Sequence, residues 1–141
     1  MNTKPPAKTG QILLVEDNWG DIVLIREAFS QSGLNVKLSV VTDGEEALAY
    51  LEGQGKYAQV ARPDFVLLDI NLPRMDGRVF LRRLRSHQRL GEMPVVVLTS
   101  SKLDSDMREM AELGISGYLV KPSDLYGFQE VVKRIGTFWR G

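Results

Sequence analysis

The sequence contains no cysteine, which excludes disulfide bonds, thiolate zinc sites and a cysteine nucleophile. An excess of charge is also missing, because 18 Lys and Arg residues balance 18 Asp and Glu residues. A neutral chain has no overall field that would draw it onto nucleic acid or an anionic membrane. We therefore expect a function that depends on local groups of charges, and no nucleic-acid partner.

Long apolar runs are missing as well. No run approaches the roughly 20 apolar residues that a membrane-spanning helix needs, and residues 1–10 are polar where a secretory signal would be apolar. We therefore predict no membrane association and a cytoplasmic location. The length of 141 residues suits a flexible N-terminal tail over residues 1–10 and one domain over residues 11–141, with no output domain attached.

The apolar pattern alternates between short runs and longer amphipathic segments. The short runs predict strands at residues 12–15, 36–41, 65–68, 95–98 and 118–120. The amphipathic segments predict helices at residues 21–31, 43–52, 76–87, 104–113 and 123–139. Lys37 and Ser39 interrupt the second run and indicate an edge strand. The connection over residues 53–63 is expected to extend the second helix before it loops back.

This βα order predicts an α/β fold, because parallel neighbouring strands need right-handed helical crossovers. The simplest arrangement is a three-layer, doubly wound sheet of five parallel strands in the flavodoxin-like order 2-1-3-4-5. In such a sheet, ligands bind outside the carboxyl ends of the strands. These ends are therefore the place to look for chemistry.

Chemically compatible side chains follow four of the predicted strands. They are Glu16, Asp17, Asp69, Thr99, Ser100 and Lys121. Each has an ordinary interpretation when taken singly, since acids and hydroxyls cap helices and lysines are usually solvated. Their combination at one edge of the sheet favours a functional site.

The acidic group in this set implies a bound cation. Two carboxylates about 4 Å apart repel by ~4 kcal/mol at an effective dielectric constant of ~20, so three of them need positive charge nearby. All-oxygen ligands suit Mg²⁺, which leaves a coordination position for a phosphoryl oxygen. Lys121 adds a fixed positive charge. Together these charges would neutralise a phosphoryl group in transfer, with Asp69 as the natural nucleophile.

At this point the motifs resemble those of two-component receiver domains. The matching segments are LVEDN at residues 14–18, LLDINLPRMDG at 67–77, VLTS at 97–100 and GYLVKP at 117–122. The resemblance extends from about residue 11 to the end of the chain. Within the family the chain looks most like the small stand-alone regulators that accompany phytochrome histidine kinases of cyanobacteria and other bacteria, in its long connection before the third strand and its Phe138-Trp139 ending.

The resemblance implies a phosphoacceptor and a metal site. Asp69 would accept a phosphoryl group from a histidine kinase. The protein would not be an enzyme for other substrates and would promote only its own phosphorylation and dephosphorylation. Asp17, Asp69 and the backbone carbonyl of Asn71 would bind Mg²⁺. Glu16 would act through a metal-bound water, and its replacement of the commoner Asp at this position is tolerable in that role.

The resemblance also implies a switch that changes the surface of the domain for partner binding. The Thr99 hydroxyl would bond the phosphoryl oxygen, Lys121 would pair with it, and Tyr118 would turn inward. A cis peptide before Pro122 would aim the lysine, since X-Pro bonds tolerate cis. The last two helices and the last strand would form a homodimer interface. Its apolar residues would come from Met107, Met110, Tyr118, Phe138 and Trp139.

Two further features have open or ordinary interpretations. Trp19 would either rim the site, where it could touch a partner, or pack on the first helix. The arginines around the third helix are expected on a solvated face; they are Arg74, Arg78, Arg82, Arg83, Arg85 and Arg89.

Four alternative functions fit the sequence less well. A receiver-like scaffold that is not phosphorylated conflicts with the intact Asp17, Asp69, Thr99 and Lys121. A phosphatase of the haloacid-dehalogenase type needs Asp-x-Asp after the first strand, and the chain has Asp17, Asn18 and Trp19 there. A flavodoxin or a nucleotide-binding protein would need a hydroxyl-rich or Gly-rich phosphate loop, which is missing.

Overall fold

Short apolar segments form the strands of one parallel sheet. The structure, a computed structural model, describes residues 9–138. Its strands are β1 (Gly10–Val15), β2 (Val36–Val41), β3 (Phe65–Leu68), β4 (Val95–Thr99) and β5 (Gly117–Val120). They pair in the order β2-β1-β3-β4-β5, and every neighbouring pair is parallel. The predicted fold class, strand order and edge position of the second strand are confirmed.

Amphipathic segments form the crossover helices. They are α1 (Trp19–Gln31), α2 (Gly44–Glu52), α3 (Gly77–Arg85), α4 (Asp104–Glu112) and α5 (Leu125–Phe138). Side-chain oxygens fix where the first three begin, because each accepts a hydrogen bond from a free N–H of the first turn. These capping residues are Asn18, Asp43 and Asp76. Helix α1 therefore begins two residues earlier than predicted.

The strands alternate their side chains between two apolar cores. On one face Leu13, Val15 and Leu68 pack with residues of α2, α3 and α4, including the fully buried Phe80. On the other face lies a second core of strand residues such as Leu14, covered by α1 and α5. Covering both faces produces the three predicted layers and leaves the carboxyl ends of the strands open to ligands.

The connection before β3 differs from its prediction. Helix α2 ends at Glu52 because Gly53 adopts a left-handed backbone with φ 67°, a conformation that favours glycine and stops the helix. A short 3₁₀ turn, Gly55–Tyr57, then packs back, and the Tyr57 hydroxyl donates to Glu46 at 3.2 Å. The expected extension of α2 is therefore wrong.

The two ends of the chain differ from their predictions or lie outside the described residues. Gly10 was assigned to the tail but is the first residue of β1, and its N–H donates to the Asn35 carbonyl at 2.8 Å. The remainder of that prediction falls almost entirely on residues 1–8, and the expected role of Trp139 falls on residues 139–141; both segments lie outside the described residues. Across residues 9–138, no helix has the length and apolarity to cross a bilayer.

The basic face predicted for α3 is only partly solvated. Arg82 is exposed, but the Arg85 guanidinium donates to the backbone carbonyls of Met93 and Leu113 at 2.7 and 2.6 Å. Burial lowers the pKa of Arg85. Arg78 also turns inward, to Asp106 of α4. The expected solvated face is wrong for these two arginines, which tie α3 to the next helix and its loops.

Candidate functional site

The register of the sheet sets the positions of the site residues. Val15 lies opposite Leu68, so Glu16 and Asp69 leave the sheet side by side. The Asp69 N–H donates to the Val15 carbonyl at 3.0 Å, and the Lys121 N–H donates to the Thr99 carbonyl at 2.8 Å. Backbone pairing thus continues one residue beyond the strands and holds these groups at fixed spacing.

Three carboxylates meet at this edge. Oxygen atoms of Glu16, Asp17 and Asp69 all lie within 4.8 Å of one another. Glu16 and Asp69 are buried, with only 1% and 5% of their surface exposed, whereas Asp17 is exposed at the opening. This donor set consists of hard oxygens with one side open to solvent, so it fits a partly hydrated Mg²⁺ or Mn²⁺ ion.

The Lys121 ammonium group lies against the acidic cluster. Its Nζ is 2.7 Å from Glu16 Oε1, 2.8 Å from Asp69 Oδ2 and 2.9 Å from Asp21 Oδ2. Burial favours the neutral amine, but the hydrogen bonds to Asp21, Asp69 and Glu16 outweigh it and raise the pKa of Lys121 above its usual value. The lysine is therefore a permanent positive charge at Asp69.

Glu16 has the most perturbed carboxyl of the cluster. Burial raises its pKa to about 7, and the negative charge of Asp69 acts in the same direction. Hydrogen bonds from Lys121 and from the Asn18 N–H oppose the rise. A divalent cation nearby would add positive charge that favours the ionised form of Glu16.

A close backbone approach shapes the loop after β3. The Asn71 N–H donates to Asp69 Oδ1 at 3.1 Å and orients the carboxylate. Gly77 begins α3 so near this loop that a Cβ atom there would lie 2.6 Å from the Asp69 carbonyl oxygen and 2.5 Å from the Ile70 Cα. Only glycine fits, and the start of α3 therefore supports Asp69 from behind.

A chain of hydrogen bonds runs from Thr99 to Tyr118. Thr99 is fully buried, and its Oγ1 accepts a long bond of 3.4 Å from the Ser101 N–H. The Ser101 carbonyl in turn accepts from the Tyr118 hydroxyl at 3.0 Å. The loop after β4 therefore connects the hydroxyl beside the site to the tyrosine of β5.

The predicted cis peptide before Pro122 is wrong. No cis peptide bond occurs within residues 9–138, so the Lys121–Pro122 bond is trans. The trans form is the lower-energy isomer, and from it the Lys121 ammonium already reaches Asp69. Aiming the lysine does not require the strained isomer.

The exposure of Trp19 bears on its two predicted positions. Trp19 is 72% exposed at the start of α1, so it does not pack on the helix; its place at the rim of the site stays a prediction.

One residue assigned to the dimer face lies in the core instead. Met110 is fully buried in the core, whereas Met107 is 37% exposed. Tyr118 is half-buried.

Sequence reasoning missed two groups near the site. Asp21 lies in the first turn of α1, four residues after Asp17, and no signal in the sequence indicates that it contacts Lys121. The second group is Arg78 with Asp106, a bidentate pair with both bonds at 2.8 Å. Its members are 28 residues apart, so only the packing of α3 on α4 reveals it.

Solved structures of response regulators have the same fold as this chain. The phosphorylated cyanobacterial phytochrome response regulator RcpA superimposes with a TM-score of 0.87 at 42% identity, covering 94% of each chain. The Mn²⁺-bound form of the response regulator Rcp1 superimposes with a TM-score of 0.84 at 38% identity, covering 92% of this chain and 94% of that one.

Sequence comparison agrees. Response regulator Rcp1 of Synechocystis sp. is 39% identical over 128 residues, which are 91% of this chain and 87% of that protein. The model of the response regulator receiver domain matches residues 12–133. Receiver domains bind a divalent metal ion, accept a phosphoryl group on an aspartate and act with histidine kinases as signalling switches. The chain belongs to the response regulator receiver domain family.

Proposed function

We propose that Asp69 is the phosphoacceptor of this response regulator, with Mg²⁺ as its metal ion. The observation that carries the proposal is the contact between the Lys121 ammonium group and Asp69 Oδ2 at 2.8 Å, beside the carboxylates of Glu16 and Asp17. A nucleophile that lies between a fixed cation and a metal-binding group has what phosphoryl transfer demands, namely position and charge neutralisation.

In the transfer step, a carboxylate oxygen of Asp69 attacks the phosphorus atom of the donor. The bond from phosphorus to the leaving imidazole nitrogen breaks, and the nitrogen keeps the electron pair. Lys121 neutralises charge on the phosphoryl oxygens, and Thr99 donates its hydroxyl proton in a hydrogen bond to one of them. Asp17, Asp69 and the Asn71 carbonyl would hold the metal ion, which would supply further charge neutralisation, and Glu16 would act through a metal-bound water.

We propose that the same site reverses the modification. Water attacks the phosphorus atom in line with the Asp69 oxygen, the bond from that oxygen to phosphorus breaks, and inorganic phosphate leaves. The protein therefore promotes only its own phosphorylation and dephosphorylation. Asn71 and Ser101, two positions after Asp69 and Thr99, flank the path of that water and would set the lifetime of the phosphoprotein.

The switch that reads this state would run through Thr99 and Tyr118. Drawing Thr99 Oγ1 towards a phosphoryl oxygen removes the acceptor of the Ser101 N–H, whose present bond is already long at 3.4 Å. Moving that loop removes the acceptor of the Tyr118 hydroxyl and frees the ring to turn inward. Phosphorylation thus shifts the population between two arrangements of α4 and β5.

The similar response regulators support a particular class of histidine kinase as the partner. Likeness to the phytochrome response regulator RcpA at 42% identity supports a phytochrome-type histidine kinase as the donor. A cytoplasmic location follows from that partner, since the kinase forms its phosphohistidine from ATP. The chain spans 94% of the RcpA chain and 87% of Rcp1, so the likeness extends over nearly the whole of both relatives.

We further propose that a second copy covers the face formed by α4, β5 and α5. Leu103 and Met107, one helical turn apart at the start of α4, expose 62% and 37% of their surface and support an apolar contact there. Sedimentation velocity should give a dimer for the wild type and a monomer for Met107→Glu. An unchanged sedimentation coefficient would exclude this face.

Intact-mass spectrometry after incubation with Mg²⁺ and acetyl phosphate tests the central proposal. We expect one phosphoryl adduct on the wild type and none on Asp69→Asn. Asp64→Asn is the matched control, because Asp64 lies at the opposite end of the same strand and accepts from the Gln11 N–H at 2.7 Å. An adduct that survives Asp69→Asn, or that Asp64→Asn abolishes, would contradict the assignment.

A further inference from the structure

Asp21 contacts the site without belonging to its metal-binding group. It lies in the first turn of α1, and its Oδ2 accepts a hydrogen bond from Lys121 Nζ at 2.9 Å, across 100 residues of sequence. Its side chain is 22% exposed. This carboxylate therefore touches the cation on which the proposed transfer depends.

The surroundings of the Lys121 ammonium group explain why a third carboxylate is present. The lysine side chain is only 9% exposed, so protein groups replace the water that its three N–H bonds would otherwise meet. Within residues 9–138 its carboxylate partners are Glu16, Asp69 and Asp21. Three carboxylates thus surround the ammonium group, and two of them, Asp21 and Asp69, accept hydrogen bonds from it.

Two of those partners change their role when the site is used. Glu16 and Asp69 belong to the group whose oxygens lie close enough to hold a metal ion, and Asp21 does not. A metal ion would compete with Lys121 for the lone pairs of Asp69, and a water on that metal would compete for those of Glu16. Phosphorylation would in addition turn the Asp69 carboxylate into an acyl phosphate. Asp21 is the partner that neither event involves.

We propose that Asp21 is a positioning residue that holds the Lys121 ammonium group at Asp69 while metal and phosphoryl group occupy the other oxygens. The inference rests on the proposed phosphoryl transfer to Asp69. Asp21 touches neither the phosphorus atom nor the metal in this scheme; it acts through Lys121 alone. Its removal leaves the lysine free to leave the site whenever Asp69 binds the metal and Glu16 binds a water on that metal.

The test is the rate of phosphorylation by acetyl phosphate at saturating Mg²⁺, followed by intact mass. We expect Asp21→Asn to slow it about tenfold, the value of one charge-assisted hydrogen bond that is partly open to water. Asp21→Glu should restore part of the rate. Glu27→Gln removes one negative charge from an exposed position on the same helix and should leave the rate unchanged.

A double-mutant cycle separates positioning from a general effect on the fold. In a Lys121→Ala background, the effect of Asp21→Asn should vanish, because the residue through which it acts is gone. Calorimetric Mg²⁺ titration should give the same affinity for Asp21→Asn and wild type within about twofold. Thermal unfolding checks that each variant is folded.

Failures of the two proposals are distinguishable. If the wild type takes up no phosphoryl group, the proposed function is wrong. If the wild type is phosphorylated but Asp21→Asn is as fast or faster, or if the slowing persists in Lys121→Ala, the positioning role is wrong while the function stands.

Discussion

Removing the Asp106 carboxylate should cost this domain more than removing any exposed acid of the same helix. Asp106 accepts both Nε and Nη2 of Arg78 at 2.8 Å and the Ser101 hydroxyl at 2.6 Å. Its side chain is 9% exposed and that of Arg78 is 24% exposed. Asp106→Ala therefore leaves a mostly buried guanidinium and a hydroxyl without their acceptor.

The magnitude follows from burial. Breaking a fully buried pair costs about 3–5 kcal/mol, but Arg78 keeps some water and its second partner, so we expect about 2 kcal/mol for Asp106→Ala. Asp76 is that second partner, at 3.0 Å. For a domain of this size the loss corresponds to a fall in melting temperature of roughly 6–8 °C.

Glu109→Ala is the matched control. Glu109 lies one turn further along α4 and also pairs with an arginine of α3, but the side chains of Arg82 and Glu109 are 51% and 38% exposed. Such a pair contributes about 0–1 kcal/mol. Urea denaturation followed by far-UV circular dichroism measures both variants. Equal losses of stability in the two would refute the reasoning from burial.

The same pair predicts a pH dependence. Hydrogen bonds from Arg78 and Ser101 lower the pKa of Asp106, so near that pKa the unfolded chain binds more protons at this residue than the folded protein does. The stabilisation by Asp106 is therefore complete above the unfolded pKa of about 4 and is lost as the pH falls through the lower, folded pKa. The difference in unfolding free energy between wild type and Asp106→Ala should shrink in acid. A constant difference would count against the assignment.

Three further outcomes are expected. Gly77→Ala places a Cβ atom 2.6 Å from the Asp69 carbonyl oxygen and should destabilise the domain by about 1–3 kcal/mol in urea denaturation. Phe80→Ala empties a position that is fully buried between α3 and the sheet, and should cost about 3–5 kcal/mol in the same assay. Mg²⁺ at 100 times its dissociation constant should stabilise the wild type by about 2.7 kcal/mol, seen as a higher melting temperature, and EDTA should reverse it. Asp17→Asn should abolish that shift, because one of the three clustered carboxylates is lost.

The predicted elements differ from the observed ones mainly at their ends. Apolar runs identify strands well because a strand covered on both faces must be apolar throughout. Helix ends depend on individual caps instead. Asn18 starts α1 two residues early, and Gly53 stops α2 with a left-handed backbone. Each of these helix ends is set by a single residue. The apolar periodicity of a whole segment does not detect such a residue.

Site residues directly after strands were predictable, and partners on helices were not. Parallel strands place their carboxyl ends at one edge, so Glu16, Asp69 and Lys121 meet whatever the helices do. Asp21, Arg78 and Arg85 depend on how a helix is rotated against its neighbours, which follows from side-chain packing over the whole core.

The order of the apolar runs is enough to predict a parallel sheet. The residues that follow those runs are enough to predict a carboxylate cluster beside a lysine. Which acidic side chains pair with which basic ones is seen only in the tertiary structure. It showed that Lys121 has three acidic partners and that Asp106 holds Arg78 between two helices. The two differ in how far apart in the sequence the interacting residues lie. Strand order is set by local apolar pattern, whereas hydrogen bonds of buried charges require distances of about 3 Å between residues far apart in sequence.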